Sequence, residues 1–244
     1  MKLEGKTAIV TGASSGIGAA IARALRAEGV RVAGGARRVD RLETDVALEL
    51  DVTDAKSCER FAAAAVEQLE GLDILVNNAG LALGRDPFDD STEADEEVVL
   101  ATNVHGLIRM TRLCLPHLRD GSHIVNMGSI AGFAAYPNGS LYVTSKFAVH
   151  GFTRALREDL LGRPIRVTNV APGLVETDFS KVRFRGDEEK ARSVYENVSL
   201  GGPVAPEDVA ECVVFALTRP PHVNLDEIVV TALAQSSGAR ILRD

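Results

Sequence analysis

Short apolar runs alternate along this chain with longer stretches of helical period, and that rhythm limits the fold more than any other feature. The runs occupy residues 7–10 (TAIV), 30–35 (VRVAGG), 46–50 (VALEL), 73–76 (DILV), 123–127 (HIVNM), 165–170 (IRVTNV) and 227–233 (EIVVTAL). Between the first two, Ile17, Ile21 and Leu25 recur every four positions and Gly29 follows, which predicts an amphipathic helix with a glycine stop. A second helix is predicted after Thr53, with Phe61, Ala65 and Leu69 on one face and Gly71 at its end. A third starts at Ser91 as N-cap and runs towards Leu115, and Pro206 opens a late one whose first turn carries Glu207 and Asp208. Strands that alternate with helices call for a parallel sheet covered on both faces. No linker-like, repetitive or low-complexity stretch interrupts the pattern, so one α/β domain over residues 1–244 is expected. The rhythm fails once: too few residues separate Arg37 from Val46 for a crossover helix, so only a turn or two is expected there.

Composition narrows the partners. A net charge of -7 argues against a surface that binds a nucleic-acid backbone. Cys58, Cys114 and Cys212 form no CxxC pair, which fits reduced thiols in a cytoplasmic protein. The five histidines are scattered, so no metal site is expected. There is neither a membrane-length apolar stretch nor a signal-like N-terminus, so no membrane partner is expected.

The ends of the strands carry the chemistry. TGASSGIG (residues 11–18) joins the first strand to the first helix. Gly12, Gly16 and Gly18 allow a tight turn and close approach of a ligand, and the helix N-terminus offers free N–H groups to a pyrophosphate. NNAG (77–80), MGSIAG (127–132) and APG (171–173) follow the fourth, fifth and sixth strands, on the rim where open parallel sheets bind ligands. Tyr142 and Lys146 are four apart, which on a helix makes them neighbours on one face. A free phenol titrates near ~10, so a nearby cation that favours the phenolate would suit it to acid–base work.

In order and spacing these motifs resemble the short-chain dehydrogenase/reductase family over essentially the whole chain. The matching residues are TGxxxGxG at 11–18, Asp51, NNAG, Asn103, Ser129, Tyr142-x-x-x-Lys146 and Pro172-Gly173. The resemblance implies a doubly wound parallel sheet of seven strands in order 3-2-1-4-5-6-7 and a nicotinamide cofactor. It carries the cofactor site to Gly12, Ser14, Ser15, Gly16, Ile17, Gly18, Asp51, Val52, Asn78, Ala79, Gly80, Tyr142, Lys146, Pro172, Gly173, Val175 and Thr177. Tyr142 becomes the general acid/base; Lys146, with the positive nicotinamide ring of the oxidised cofactor, lowers its pKa and also holds the nicotinamide ribose. Ser129 becomes the hydrogen-bond donor to the substrate oxygen. Asn103 becomes the residue that bends its helix and holds a water in a proton relay.

Relatives that use NAD place an aspartate at the end of the second strand. Ala36 stands there in this chain and Arg37 and Arg38 follow, which predicts NADP, with Arg38 the more solvated of the two. The last third is similar to the branch of NADP-specific serine and 3-hydroxy acid dehydrogenases, which implies a small hydroxy acid or another secondary alcohol as substrate. An NADP-binding redox sensor is the alternative, and loss of the tyrosine, lysine or serine would have favoured it. Residues 181–195 are expected to form a mobile lid in which Arg183 or Arg185 could bind a carboxylate. The family commonly pairs its fourth and fifth helices, so a homotetramer is expected. Phe147, Phe152, Leu156 and Leu160 spread wider than one core-facing stripe needs, which supports it.

Overall fold

All seven strands join one parallel sheet in the order β3-β2-β1-β4-β5-β6-β7. They are β1 (Thr7–Thr11), β2 (Arg31–Ala36), β3 (Val46–Glu49), β4 (Leu72–Asn77), β5 (Leu118–Met127), β6 (Arg166–Pro172) and β7 (Glu227–Val230) in a computed structural model that describes residues 2–244. The order reverses between β1 and β4, so the carboxyl ends of these two strands flank the crevice where the sheet switches direction. β5 starts earlier than its apolar run because Leu118 pairs with Leu72 across a register shift. β7 ends earlier, since the ladder closes at Gly173 N–H to Val230 O and the chain then turns at Ala232.

The two faces of the sheet bury separate apolar cores. On one, Ile21 and Leu25 of α1 (Gly16–Ala27) meet Val10, Val32 and Val76 of the sheet, with Val209, Val213 and Leu217 of α8 (Pro206–Leu217). On the other, Phe61, Ala65 and Leu69 of α2 (Ala55–Leu69) pack with Leu75, Ile124, Met110 and Leu156. Each fully buried side chain of this size contributes roughly 1.5–3 kcal/mol, which makes these faces the main source of stability. Asp54 caps α2 by accepting from Lys56 N and Ser57 N.

The stretch after Arg37 holds only a 3-10 turn at Val39–Arg41, as its length requires. Thr44 and Leu42 cover the sheet in place of a crossover helix. They can do so because Gly34 has no side chain: a Cβ there would lie 2.7 Å from Thr44.

The helix expected from Ser91 to Leu115 is three pieces. The cap is Thr92, one residue later, whose hydroxyl accepts from Asp95 N, while Ser91 Oγ donates to Phe88 O and closes the preceding turn. After α3 (Glu93–Leu100) the backbone widens into a π-helical segment, Ala101–Gly106, before α4 (Leu107–Cys114). The long helix α5 (Ser140–Asp159) carries Tyr142 and Lys146. Of the four apolar residues expected to spread around it, Leu156 and Leu160 are buried and Phe152 packs partly on the core. Only Phe147 points outwards, so the core claims more of this helix than its sequence suggested.

Candidate active site

A cleft of about 800 Å³ opens at the carboxyl ends of the strands. Every residue predicted to touch the cofactor lines it, and so does Ser129.

Side chains from neighbouring strand ends lock its floor. Thr11 Oγ1 accepts from Asn78 N and Ala79 N at 3.0 Å each, and Asn78 Nδ2 donates to Thr11 O and Gly12 O. The NNAG turn is thereby stitched to the glycine loop. Gly18 makes this approach possible, because a Cβ there would lie 2.3 Å from Gly12 O and 2.4 Å from Asn78 Nδ2. The first turn of α1 contains no acidic residue and Ser15 caps it with no side-chain bond, so its N–H groups face the cleft. This is the chemistry that a pyrophosphate requires.

At the end of β2, Arg37 and Arg38 are exposed on the cleft rim, and among the described residues neither forms an ion pair with a carboxylate. Arg38 Nη2 donates to Ser15 Oγ at 3.2 Å. Arg38 therefore reaches back to the glycine loop while it stays exposed to solvent. Asp51 accepts from Thr53 N and Thr53 Oγ1. Burial raises its pKa, but the Thr53 bonds and the charge of Arg37 outweigh burial and hold the carboxyl below its usual value. These rim cations and the bare helix N-terminus fit a dinucleotide that carries an extra phosphate.

Tyr142, Lys146 and Ser129 meet deeper in the cleft. The Ser129 hydroxyl is near enough to the Tyr142 phenol to favour its ionised form. Lys146 Nζ lies 5.7 Å from the centre of the tyrosine ring and donates to Met127 O at 2.9 Å. The lowering of the tyrosine pKa was expected from Lys146 together with the positive ring of the oxidised cofactor, and in the chain by itself burial works against it. Burial dominates and pushes the phenol up to about 12, while the Ser129 hydroxyl and the charge of Arg183 pull against it. Burial also brings Lys146 down to about 8.

Asn103 lies just behind the cleft wall, 1% exposed, in the π-helical segment. Its side chain accepts from Leu81 N and donates to Leu81 O and Ser145 Oγ. The amide thus clamps the turn after NNAG, and a Cβ on Gly80 would come within 3.2 Å of its oxygen and 3.7 Å of Lys146 Nζ.

The short helix α6 (Phe179–Arg183) covers the cleft, and after α7 (Glu188–Ser193) the chain returns to its lining at Val194 and Tyr195. Phe179 meets the Tyr142 ring edge-on at 5.6 Å. The covering segment is fastened by Gly84 N to Arg183 O and by a two-pronged bond from Arg185 to Asp95. Arg183 faces the cleft and Arg185 does not. Tyr136, Arg85 and Tyr195 also line the cleft without having been singled out by sequence. Tyr136 sits in an irregular loop with no motif around it, so no local pattern could have found it. Among the described residues no three histidine, cysteine or acidic side chains gather as a metal-ligand set, and no helix is long and apolar enough to cross a membrane.

Comparison with known proteins agrees with this geometry. The model of the short chain dehydrogenase family matches residues 6–188. A NADP-dependent 3-hydroxy acid dehydrogenase of Schizosaccharomyces pombe is 39% identical over 99% of this chain and 98% of its own length. A NADP-dependent 3-hydroxy acid dehydrogenase of Salmonella typhi is 41% identical over 93% of this chain and 95% of its own. Among solved structures, the closed form of a serine dehydrogenase complexed with NADP+ superposes with a TM-score of 0.90 at 38% identity, covering 98% of this chain and 99% of that one. With its sheet order, its glycine turn and the Ser129, Tyr142 and Lys146 cluster all in place, the chain belongs to the short chain dehydrogenase family.

Proposed function

We propose that this chain, one cofactor-binding domain over residues 1–244, exchanges hydride between NADP(H) and a small hydroxy acid or related secondary alcohol. The observation that carries the reading is the meeting of Ser129, Tyr142 and Lys146 in the same cleft as the glycine turn and the two rim arginines. When bound, the cofactor supplies the hydride donor or acceptor at its nicotinamide ring. Arg37, Arg38 and Ser14 hold the 2′-phosphate, and the N-terminus of α1 holds the pyrophosphate.

Tyr142 gives a proton to the carbonyl oxygen in reduction and takes it from the hydroxyl in oxidation. A phenol held near 12 is fully protonated at neutral pH and ready to donate. Ser129 steadies the charge that develops on the substrate oxygen. Lys146 supplies a cation beside the phenol and a donor for the ribose, and Asn103 keeps the Leu81 turn and the Ser145 hydroxyl in register while serving the water relay. The segment over the cleft acts as a lid. The similar 3-hydroxy acid dehydrogenases support a hydroxy acid as substrate. We further infer a homotetramer, and a reducing compartment such as the cytoplasm, in keeping with three free cysteines.

The test is nicotinamide absorbance with NADP+ and a panel of serine, 3-hydroxypropionate and simple secondary alcohols. Tyr142→Phe should bind NADP as tightly as the parent and lose about 10²–10⁴-fold in kcat. Retention of more than about a tenth of kcat would refute the assignment of Tyr142 as proton donor.

A further inference from the structure

The cations of the covering segment are unequal. Lys181 pairs with Asp178, Lys190 with Asp187, and Arg185 with Asp95. Arg183 and Arg192 have no ion pair to any described carboxylate; Arg192 is exposed and away from the cleft, whereas Arg183 is half-buried and faces it. Its Nε donates to Gly84 O at 3.0 Å and its Nη2 to Tyr136 Oη at 3.2 Å. Two of its five N–H bonds are thereby committed and the group is held in one orientation, with the others free to donate. Its guanidinium carbon lies 5.7 Å from the ring centre of Tyr136 and 5.9 Å from that of Tyr142. Arg85, also on the cleft wall and also without an ion pair among the described residues, lies 5.9 Å from the Tyr136 ring.

A chain of net charge -7 that keeps two arginines unpaired at one end of its cleft concentrates anions there. A partly buried guanidinium with no counter-ion is costly, and a ligand carboxylate would relieve that cost with charge-assisted, two-pronged bonds. We propose that Arg183, aimed by Gly84 and Tyr136 and backed by Arg85, receives the carboxylate of the substrate. The proposal rests on the dehydrogenase reading of the cleft. It sharpens the substrate to an acid whose carboxylate lies only a few bonds from the reacting carbon, because Arg183 stands so close to the ring that carries the reacting phenol. Arg185 is excluded from this role, since it is ion-paired with Asp95 and does not face the cleft. Arg183 is part of the covering helix α6, so an acid held between it and Tyr142 also fastens the cover to the floor of the site.

The experiment compares 3-hydroxybutyrate with its methyl ester as substrates of the full chain with NADP+. Propionate, which has the carboxylate and no hydroxyl, serves as an unreactive probe. The parent should favour the acid, and propionate should compete with it. In Arg183→Gln the ratio of kcat/KM for the acid to that for the ester should fall about 10- to 150-fold, mainly through KM for the acid, and propionate should cease to compete. Arg183→Lys should restore part of the ratio. Equal losses on acid and ester, or unchanged competition by propionate, would show that Arg183 only fastens the cover and would overturn the proposal. A parent that oxidises the ester as well as the acid overturns the carboxylate site alone. A parent that exchanges hydride with no alcohol in the panel overturns the dehydrogenase reading and the carboxylate site with it.

Discussion

Burial acts on Tyr142 and Lys146 in opposite directions on the pH scale, and in both it favours the neutral form. Lys146 falls from 10.5 to about 8, so its linkage to stability has a definite sign. Below pH 8 the ammonium is charged in the folded and unfolded chains alike, and the folded state bears the whole cost of desolvation. Between about 8 and 10.5 the folded chain has released a proton that the unfolded chain still holds, and stability rises with pH. Lys146→Met removes that cost. The loss of the bond to Met127 O is common to every pH, so the difference in Tm between variant and parent should be most favourable to the variant below pH 8 and shrink towards 10.5. Thermal melts across that range check this, and a difference independent of pH would contradict it. The adjacency of Tyr142 and Lys146 was legible in the sequence because i, i+4 spacing on a helix dictates it, whereas the roles proposed for them came from the family resemblance. The direction of the tyrosine shift was not, because it depends on how deeply the rest of the chain covers the phenol.

The junctions where strands hand over to helices decide the cofactor. β2 is followed by two arginines where a carboxylate would repel a phosphate, and Arg38 is already drawn to Ser15 of the glycine turn. Arg37→Ala and Arg38→Ala should each weaken NADP binding by about 10- to 150-fold and leave NAD binding almost unchanged. Fluorescence titration with both cofactors checks this, and parallel losses for NADP and NAD would mean that the arginines only support the turn. The elements themselves were readable to differing degrees. α1 and α2 follow from their apolar period and stops. The break between α3 and α4 does not follow from periodicity, because the π-helical turn is held by a tertiary clamp, Asn103 on the Leu81 backbone; only the family resemblance, which has Asn103 bend its helix, pointed to it. The N-cap moved from Ser91 to Thr92 for a similar reason: both hydroxyls could cap, and Ser91 is used by the turn before it.

The proposed tetramer is a matter of the assembled surface, where Phe147 is the large apolar side chain of α5 that stays exposed, at 45%. Light scattering at micromolar concentration should give a mass near four times 25.9 kDa, and Phe147→Glu should give a smaller species; a monomeric parent would refute the tetramer. Residue order alone determined the parallel sheet, the glycine turn, the polar strand ends and the Tyr142–Lys146 pair. Each of these depends on spacing along the chain, and backbone geometry turns spacing directly into position. The choice of Arg183 over Arg185 was not available at that level. The two are neighbours of equal charge in one exposed-looking run, and they differ only in what the folded chain brings to them: Asp95 to one, Gly84, Tyr136 and the cleft to the other. Tyr136 and Arg85 are of the same kind, joined to the site across long stretches of sequence. Partners distant in the chain meet only when the sheet and its covering helices have closed, so tertiary structure alone could assign them.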